Sequence, residues 1–599
     1  MAKKQQKSKQ RKEMTYQRKA MEMARAHWEK QKKKAINERR TFRGLQILPT
    51  ASYYDESRGH KPGENNWTGF GFDLHPQVTV VAGGLVLLFI VTTLIFRDQS
   101  GAFFQGLLDS IGNSLGWLYI LAANFFVMVM VLIAASDYGK IRIGGPDALP
   151  EFSTFSWYAM LMSAGMGIGL MFWSVAEPIF HFLTPSPMFD VPAATAQSAQ
   201  VALGLTYYHW GIHPWGIYAL VGLALSFFAY NRGLPLTIRS IFYPLLGEKI
   251  YGFWGNLIDV LSVLATLFGL ATSLGLGVTQ VSSGLNYLFG FPTSTEFAVL
   301  LIGVITLLAV ISIASGLDKG VKMLSMANMY TAGAFMVFLL LVGPTVYILK
   351  AFTQNLGFYI QNLPQLSFWV ETFYGAEGSN WQNPWTIFYW GWWISWSPFV
   401  GMFIARISKG RTVREFILGV MVFPTLLSFL WMSSFGGSAL WLQLTGAADI
   451  AAAVNADVST ALFVMLEQFP LAKLTSLIGI LLVTIFFITS SDSGSLVVDH
   501  LTSGGKLDSP VPQRIFWGIV EGLCAAVLLM GGGLVALQSA SIATGLPFTI
   551  VLLVMCYSLY RGLKEEHYHA TVIGKMQPET HKIEIPVGKE GVATDKVFP

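Results

Sequence analysis

The sequence predicts an all-α polytopic membrane protein with twelve transmembrane helices, and two observations lead to this fold class. The first is composition: 53% of the 599 residues are hydrophobic and only 13% are charged, which is too apolar for a soluble protein of this size. The second is that apolar runs of about 20 residues recur along the chain, and this is the length that a helix needs to cross a bilayer. We therefore expect most of the chain to lie in the membrane.

The charges of the loops between the twelve apolar segments predict their orientation. With the N-terminus inside, the cytoplasmic loops and their edges carry thirteen Lys and Arg residues, whereas the opposite loops carry three. An excess of cations is typical of cytoplasmic loops, so both termini are predicted to be cytoplasmic. The segments lie near 76–96, 113–135, 155–182, 197–229, 253–287, 296–315, 320–350, 383–405, 413–442, 471–500, 512–533 and 535–560.

The polar ends of the chain are predicted to be cytoplasmic tails, at 1–70 and 561–599. Residues 1–45 contain sixteen Lys and Arg and four Glu. Such a segment is attracted to anionic lipid by roughly 1 kcal/mol per cation, so one interpretation is a helix that forms on the membrane surface. The other is a disordered, solvated tail. Outside the membrane on the opposite side, the amphipathic stretch 352–379 is predicted to lie along the surface as an interfacial helix.

The eighth segment is unusually rich in tryptophan and is interrupted by Pro398. Trp392 and Trp396 are four residues apart, as are Tyr389 and Trp393, so two aromatic stripes run along the predicted helix. An interfacial aromatic belt is one explanation. A path lined with rings at membrane depth is the other, and such rings attract quaternary ammonium cations through the π quadrupole.

The third segment contains three alternate glycines in the run from Ser163 to Gly169, followed by Glu177-Pro178. Each glycine weakens a helix by about 1 kcal/mol relative to alanine. Close helix packing through Gly165 and Gly169 is one interpretation. The other is an opened helix, whose free backbone N–H and C=O groups would bind a substrate or ion.

The fourth segment combines two histidines with aromatic residues around Pro214. His209 and His213 have the i, i+4 spacing of a metal pair, but the sequence offers no carboxylate or cysteine cluster beside them, so we do not expect a metal. Proline bends a helix. The aromatic side chains therefore either line a pocket at a bend or are ordinary core residues; they are Trp210, Trp215 and Tyr218.

The tenth segment is rich in hydroxyl groups between Thr489 and Ser495. Hydroxyl and carbonyl oxygens suit a small, hard cation such as Na⁺, although the same hydroxyls also bond to their own helix. Asp492 is a candidate ionisable site because carboxylates inside a membrane are costly. Asp259 and Glu521 are expected to be interfacial.

Taken together, these segments resemble the betaine–choline–carnitine transporter family over roughly residues 70–560. The most specific match is YWGWWISWSPFVGMFIARISKGRTVREFILGV at 389–420. Similar motifs are GMGIGLMF at 165–172 with Glu177-Pro178, HWGIHPWGIYALVG at 209–222 and TSSDSGS at 489–495. The resemblance implies a transporter domain at 71–560 with LeuT-like inverted five-helix repeats at about 155–350 and 383–560. It also implies two extra helices before the repeats and a homotrimer.

The resemblance further implies where a substrate would bind. A trimethylammonium group would lie among Trp210, Trp215, Tyr218 and Trp393. The substrate carboxylate would face the backbone of Gly165, Met166, Gly167, Ile168 and Gly169. The access path would pass Trp390, Trp392 and Trp396.

Sodium sites are implied in the same way. One Na⁺ would be bound by groups of Ser163, Met166, Phe486, Thr489 and Ser490. A second site would use Thr266 and Phe399. At this second site, Leu270 stands where sodium-coupled relatives have a hydroxyl, although Thr272 is near, so the number of Na⁺ ions stays open.

The expected function is secondary active transport by alternating access, namely Na⁺-coupled symport of glycine betaine or a related quaternary-ammonium osmolyte. The alternatives are an H⁺-coupled choline carrier, a carnitine-type exchanger and, from a different class, an ion channel. The resemblance favours zwitterion symport on two comparisons. Proton-coupled choline carriers of the family tend to place an acidic residue in the glycine run, and this chain has none there. Sodium-independent exchangers of the family replace Na⁺ with a fixed cation, and no Lys or Arg lies in the middle of segments three, five or ten. We expect no enzymatic activity, no cofactor besides Na⁺ as coupling ion and no nucleic-acid partner. The expected location is the inner (plasma) membrane.

Overall fold

The computed structural model describes residues 61–165, 167–315, 318–373 and 380–568, except for the side chains of 163, 164 and 318–324. Several sequence predictions lie outside the described residues: most of the basic N-terminal tail, most of the C-terminal tail, part of the 352–379 stretch, and Met166. The described part is predominantly helical, which confirms the predicted all-α class.

Two short antiparallel strands, β1 (Trp67–Gly69) and β2 (Phe72–Leu74), precede the helices. The long helices are α1 (Pro76–Ile95), α2 (Arg97–Ala135), α3 (Thr154–Gly165), α4 (Ile168–Leu183), α5 (Ala196–Trp210), α6 (Ile212–Ser226), α7 (Phe253–Phe289), α8 (Thr295–Ser315), α9 (Asp318–Val342), α10 (Thr345–Phe368), α11 (Phe388–Ile407), α12 (Val413–Thr445), α13 (Ala472–Thr502) and α14 (Val511–Tyr568). Shorter helical segments are Asp137–Lys140, Phe227–Asn231, Ile238–Phe242, Tyr243–Leu246, Gly247–Tyr251, Asn383–Ile387, Ile450–Ala456, Val458–Thr460 and Ala461–Leu466.

In the described ranges, nine helical stretches are long and apolar enough to cross a membrane, as a polytopic membrane protein requires. Several predicted segments have a different form. The third is divided into α3 and α4. The eighth begins with the π-helical turn Asn383–Ile387 before α11. The last two are merged in α14, where the backbone is non-helical at Gly532 and Gly533.

The fourth segment is broken at Gly211, not bent at Pro214 as the sequence suggested. Gly211 has φ −93° and ψ −137°, and it separates α5 from α6. Pro214 instead lies in the first turn of α6, where a missing N–H costs little because that group has no partner within the helix. The free N–H of Ile212 donates to the hydroxyl of Tyr359 (3.1 Å).

The inner and outer helices differ in how their side chains are covered. Nearly every residue of α6 and α11 is buried. By contrast, α1 and α8 present exposed apolar side chains such as Leu87, Leu88, Leu300 and Leu307. A helix that is apolar on all faces belongs to the interior or to a membrane, so α6 and α11 form the centre and the exposed faces of α1 and α8 are suited to lipid.

Two carboxylates that the sequence predicts to be interfacial are fully buried within the protein. Asp259 pairs with the guanidinium of Arg239, which is itself almost fully buried. Glu521 accepts a hydrogen bond from the hydroxyl of Ser491 (3.1 Å). Asp492 accepts one from Ser312 (3.1 Å). Buried carboxylates need such partners because transfer from water without them is costly.

The segment before α1 packs against the end of α13. The backbone N–H of His75 donates to the carbonyl of Thr502 (2.7 Å), and Asp73 pairs with Lys506. His75 also caps α1, because its Nδ1 accepts from the N–H of Val78 (3.4 Å). Burial, and secondarily the charge of Arg239, lower the pKa of His75 from 6.5 to about 4. The neutral imidazole is therefore the form that fits this contact.

Candidate functional site

Four aromatic side chains from the fourth and eighth predicted segments, which form α5, α6 and α11, meet in the interior. The ring centroids of Trp210 and Trp393 are 4.9 Å apart, those of Trp215 and Tyr218 are 5.7 Å apart, and those of Tyr218 and Trp393 are 6.3 Å apart. Each pair is steeply inclined, the arrangement that aromatic quadrupoles favour. All four side chains are almost completely buried. We refer to these four residues as the aromatic box.

The glycine run allows the box rings to approach the third segment. A Cβ atom on Gly165 would lie 2.2 Å from Cη2 of Trp215. A Cβ on Gly169 would lie 2.5 Å from Cη2 of Trp392 and 3.2 Å from Cη2 of Trp210. Real Cβ contacts are never as short as the first two. The glycines are thus required by long-range contacts with α5, α6 and α11, and not only by local backbone geometry.

The third segment is open at the level of the box. Helix α3 ends at Gly165, and α4 begins at Ile168 after the non-helical Gly167 (φ −157°, ψ −128°). The first N–H groups of a helix have no partner within the helix and carry its positive dipole end. The start of α4 therefore offers Ile168 and Gly169 N–H donors to an anionic group near the box.

The three tryptophans assigned to an access path have different surroundings. Trp392 stacks on Trp393 with centroids 4.8 Å apart. The ring centroid of Trp396 lies 6.3 Å from that of Tyr218, so Trp396 extends the box along α11. Trp390 lies on another face of α11, where it stacks on His213 (5.1 Å). The structure thus brings Trp392 and Trp396 to the box and places Trp390 beside the histidines of the fourth segment.

A buried carboxylate, Glu177, lies directly behind the box. Its Oε2 accepts hydrogen bonds from Trp210 Nε1 (2.8 Å) and the hydroxyl of Tyr389 (2.5 Å). Its Oε1 lies 2.6 Å from His209 Nδ1 and 3.3 Å from His181 Nε2. Sequence reasoning noted Glu177 only as part of a Glu-Pro interruption. The sequence does contain a signal for Glu177, because an ionisable side chain in an apolar span is costly and usually functional.

Glu177, His181 and His209 have the side-chain types and proximity of a metal site. The sequence analysis missed this cluster because it paired His209 with His213 and found no carboxylate for them. The distance of 2.6 Å between His209 and Glu177 is a direct hydrogen bond, shorter than the roughly 3 Å that separates two ligands around one Zn²⁺. His213 instead bonds to Asn124 (2.8 Å). The cluster is therefore organised as a hydrogen-bond network.

The residues assigned to the first Na⁺ site approach the break in the third segment. A Cβ on Gly167 would lie 3.7 Å from Cδ1 of Phe486 on α13. Thr489 Oγ1 donates to the carbonyl of Ile485 (2.9 Å). A hydroxyl that donates in this way keeps its oxygen lone pairs for a cation. Ser490 is half-buried on the same helix, and the backbone of Ser163 lies in α3, whereas Met166 lies outside the described residues.

The second set of Na⁺ residues comes from α7 and α11. Thr266 Oγ1 donates to the carbonyl of Ser262 (2.7 Å), and the ring of Phe399 packs against Trp396 (5.7 Å). Leu270 is fully buried, and its Cδ1 methyl group lies where a Cβ on Gly494 would be, at 2.3 Å from that position. The nearby Thr272 bonds to the carbonyl of Leu537 and to Ser541, both at 2.8 Å. Thr272 is therefore bonded to α14, and the number of Na⁺ ions stays a prediction.

Comparison with known proteins gives consistent matches across this region. A sequence model described as a betaine/carnitine/choline family transporter matches residues 77–568. A glycine betaine/proline/choline transporter of Vibrio parahaemolyticus is 48% identical over 511 residues, which cover 83% of this chain and 91% of the relative. Glycine betaine transporter 1 of the same species is 47% identical over 522 residues (86% and 98%). A glycine betaine transporter of Acinetobacter baylyi is 44% identical over 515 residues (86% and 77%).

Proposed function

This chain belongs to the betaine/carnitine/choline family of transporters, and we propose that it carries glycine betaine or a related quaternary-ammonium osmolyte together with Na⁺ by alternating access. The observation that carries the proposal is the aromatic box beside the broken third segment. The relatives are named as transporters, three of them for glycine betaine, and this agrees with the prediction that the chain is not an enzyme.

The two ends of a betaine molecule have complementary surroundings at this site. The trimethylammonium head binds among the rings of the aromatic box, where each cation–π contact contributes roughly 0.5–2 kcal/mol once water is excluded. The carboxylate faces the free N–H groups at the start of α4, a few residues away along the chain. Because the rings lie against Gly165 and Gly169, one zwitterion spans both groups.

Na⁺ coupling is proposed through the contact between the break and α13. A cation bound by backbone carbonyls of the third segment and by the hydroxyls of Thr489 and Ser490 would hold the opened helix in place. The same opened helix presents N–H groups to the substrate, so Na⁺ and substrate stabilise one conformation and bind cooperatively. One coupled Na⁺ is proposed here, since Leu270 removes a ligand from the second set.

The proposed architecture is twelve membrane crossings with LeuT-like inverted repeats. It counts the broken pair α3 and α4 as one crossing, adds Asn383–Ile407, and divides α14 at Gly532 and Gly533. The loop charges favour cytoplasmic termini. A homotrimer in the plasma membrane and contact of the basic N-terminal tail with anionic lipid remain parts of the proposal, and that tail lies outside the described residues.

The test is uptake of labelled glycine betaine into proteoliposomes of purified protein, with and without an inward Na⁺ gradient. The proposal expects saturable accumulation that requires the Na⁺ gradient. Uptake that is indifferent to Na⁺ but driven by a proton gradient or by internal substrate would overturn the coupling and favour a proton-coupled carrier or an exchanger. Flux that does not saturate would indicate a channel. Absence of betaine transport, with transport of choline or carnitine, would overturn the substrate.

A further inference from the structure

We propose that Glu177 is a specificity-determining residue that gives the aromatic box a net negative environment and thereby selects a cationic head group over a neutral one of the same shape. The inference rests on the proposed function, because it concerns the head group that the box binds. Glu177 acts from behind the rings and does not touch the substrate. Its effect is on the charge and the positions of the box side chains.

The hydrogen-bond partners of Glu177 favour an ionised carboxylate. A carboxylate has about four acceptor positions and no donor, whereas a protonated carboxyl group must donate. Four groups surround it: the indole of Trp210, the hydroxyl of Tyr389, and the imidazoles of His181 and His209. The indole N–H can only donate. A side chain with no exposed surface and four donors is stabilised as the anion.

The two histidines can serve this anion without carrying a charge. His209 Nε2 lies 2.9 Å from Thr386 Oγ1, a hydroxyl that donates readily. With that tautomer, His209 Nδ1–H donates to Glu177 while the ring stays neutral. His181 donates from Nε2, and its Nδ1 has no hydrogen-bond partner among the described residues. The cluster then has a net charge of −1 in the protein interior.

Glu177 also fixes two of the four box rings. It binds the Trp210 indole directly at 2.8 Å. Trp393 is held one step further away, because its Nε1 donates to the backbone carbonyl of His209 (3.0 Å), whose side chain is bound to Glu177. The ring of Tyr389 packs 5.8 Å from Trp393. The charge and the ring positions are therefore supplied by one network.

The expected size of the charge effect follows from distance. A cation within about 6 Å of the Trp210 ring centre lies roughly 10 Å from the carboxylate on the far edge of the indole. At an effective dielectric constant of about 20, attraction between unit charges at that distance corresponds to roughly tenfold in affinity. A neutral head group of the same shape does not gain this attraction.

The test compares two ligands in two variants of the full-length protein. The ligands are glycine betaine and 3,3-dimethylbutyrate, which replaces the quaternary nitrogen with carbon. Glu177→Gln keeps the size and removes the charge, whereas Glu177→Asp keeps the charge and shortens the reach to the rings. Glu296→Gln, which changes an exposed carboxylate at the start of α8, is the matched control. Dissociation constants come from calorimetry, and melting temperatures report folding.

Glu177→Gln is expected to weaken betaine binding by roughly tenfold more than binding of the carbon analogue. The dissociation constant of the analogue divided by that of betaine therefore falls about tenfold. Glu177→Asp is expected to weaken both ligands and keep the ratio, which separates the charge from the reach of the side chain. If the Gln variant does not fold, equal affinity of the wild-type protein for the two ligands overturns the proposal, because the charge would then select nothing. Equal weakening of both ligands in Glu177→Gln, or loss of the ratio in Glu177→Asp, would overturn the proposal. Failure of wild-type protein to bind betaine would instead overturn the proposed function.

Discussion

Replacing Gly165 with alanine adds a methyl group where the Trp215 indole already lies. The added Cβ would be 2.2 Å from Cη2 of Trp215, and an ordinary contact begins near 3.4 Å, so the ring or the helix end must move by about 1.2 Å (3.4 − 2.2). The indole is rigid and 1% exposed, which leaves it little space. We expect a displaced box ring and weaker substrate binding.

The magnitude follows from the loss of one cation–π contact among four. At roughly 0.5–2 kcal/mol per ring, the dissociation constant for glycine betaine should rise about 2- to 30-fold. Overpacking costs about 1–3 kcal/mol of stability, and the higher helix propensity of alanine offsets about 1 kcal/mol of this. Calorimetry on purified protein measures the affinity, and thermal unfolding measures the stability.

Gly437→Ala is the matched control, because Gly437 is buried in α12 and a Cβ there would meet no atom within 4 Å. Its affinity should equal that of wild type, and its melting temperature should be unchanged or higher. If Gly165→Ala binds betaine with wild-type affinity and Gly437→Ala does too, the ring contact does not control the site, and the assignment of the box is wrong.

Three further outcomes are expected. Trp393→Leu should raise the betaine dissociation constant by about 2- to 30-fold in a calorimetric titration. Trp431→Leu, which changes a buried tryptophan stacked on Phe435 outside the box, should leave it unchanged. Thr489→Val should raise the Na⁺ concentration for half-maximal uptake in proteoliposomes, whereas Thr266→Val should leave it unchanged if one Na⁺ is coupled; equal effects would contradict the single site. Because the pKa of His75 is lowered from 6.5 to about 4, its contribution to stability is complete above pH 6.5 and is lost as the pH falls towards 4. The hydrogen-exchange protection factors of residues 61–75, which correct for the intrinsic pH dependence of exchange, should therefore fall over that range, and His75→Gln should remove this dependence.

The sequence was sufficient for features that depend on composition and local spacing. Apolar runs predicted a multi-pass helical protein, and the glycine run predicted a weak point in the third segment, which the structure has between Gly165 and Ile168. It did not locate the second break at Gly211, because proline is the stronger helix breaker in general, while Pro214 lies where its missing N–H has no cost.

What only the tertiary structure decided is which distant side chains meet. Trp210 and Trp393 are separated by 183 positions (393 − 210), yet their rings are 4.9 Å apart. Glu177 has one partner on its own helix, His181 at i+4, but its other donors come from α5 and α11, which no local pattern links to it. Periodicity within one helix defines the faces of that helix alone. A buried polar group forms hydrogen bonds with the partners that helix packing brings close to it. The surroundings of Glu177, Asp259 and Thr272 therefore depend on how the helices pack against each other.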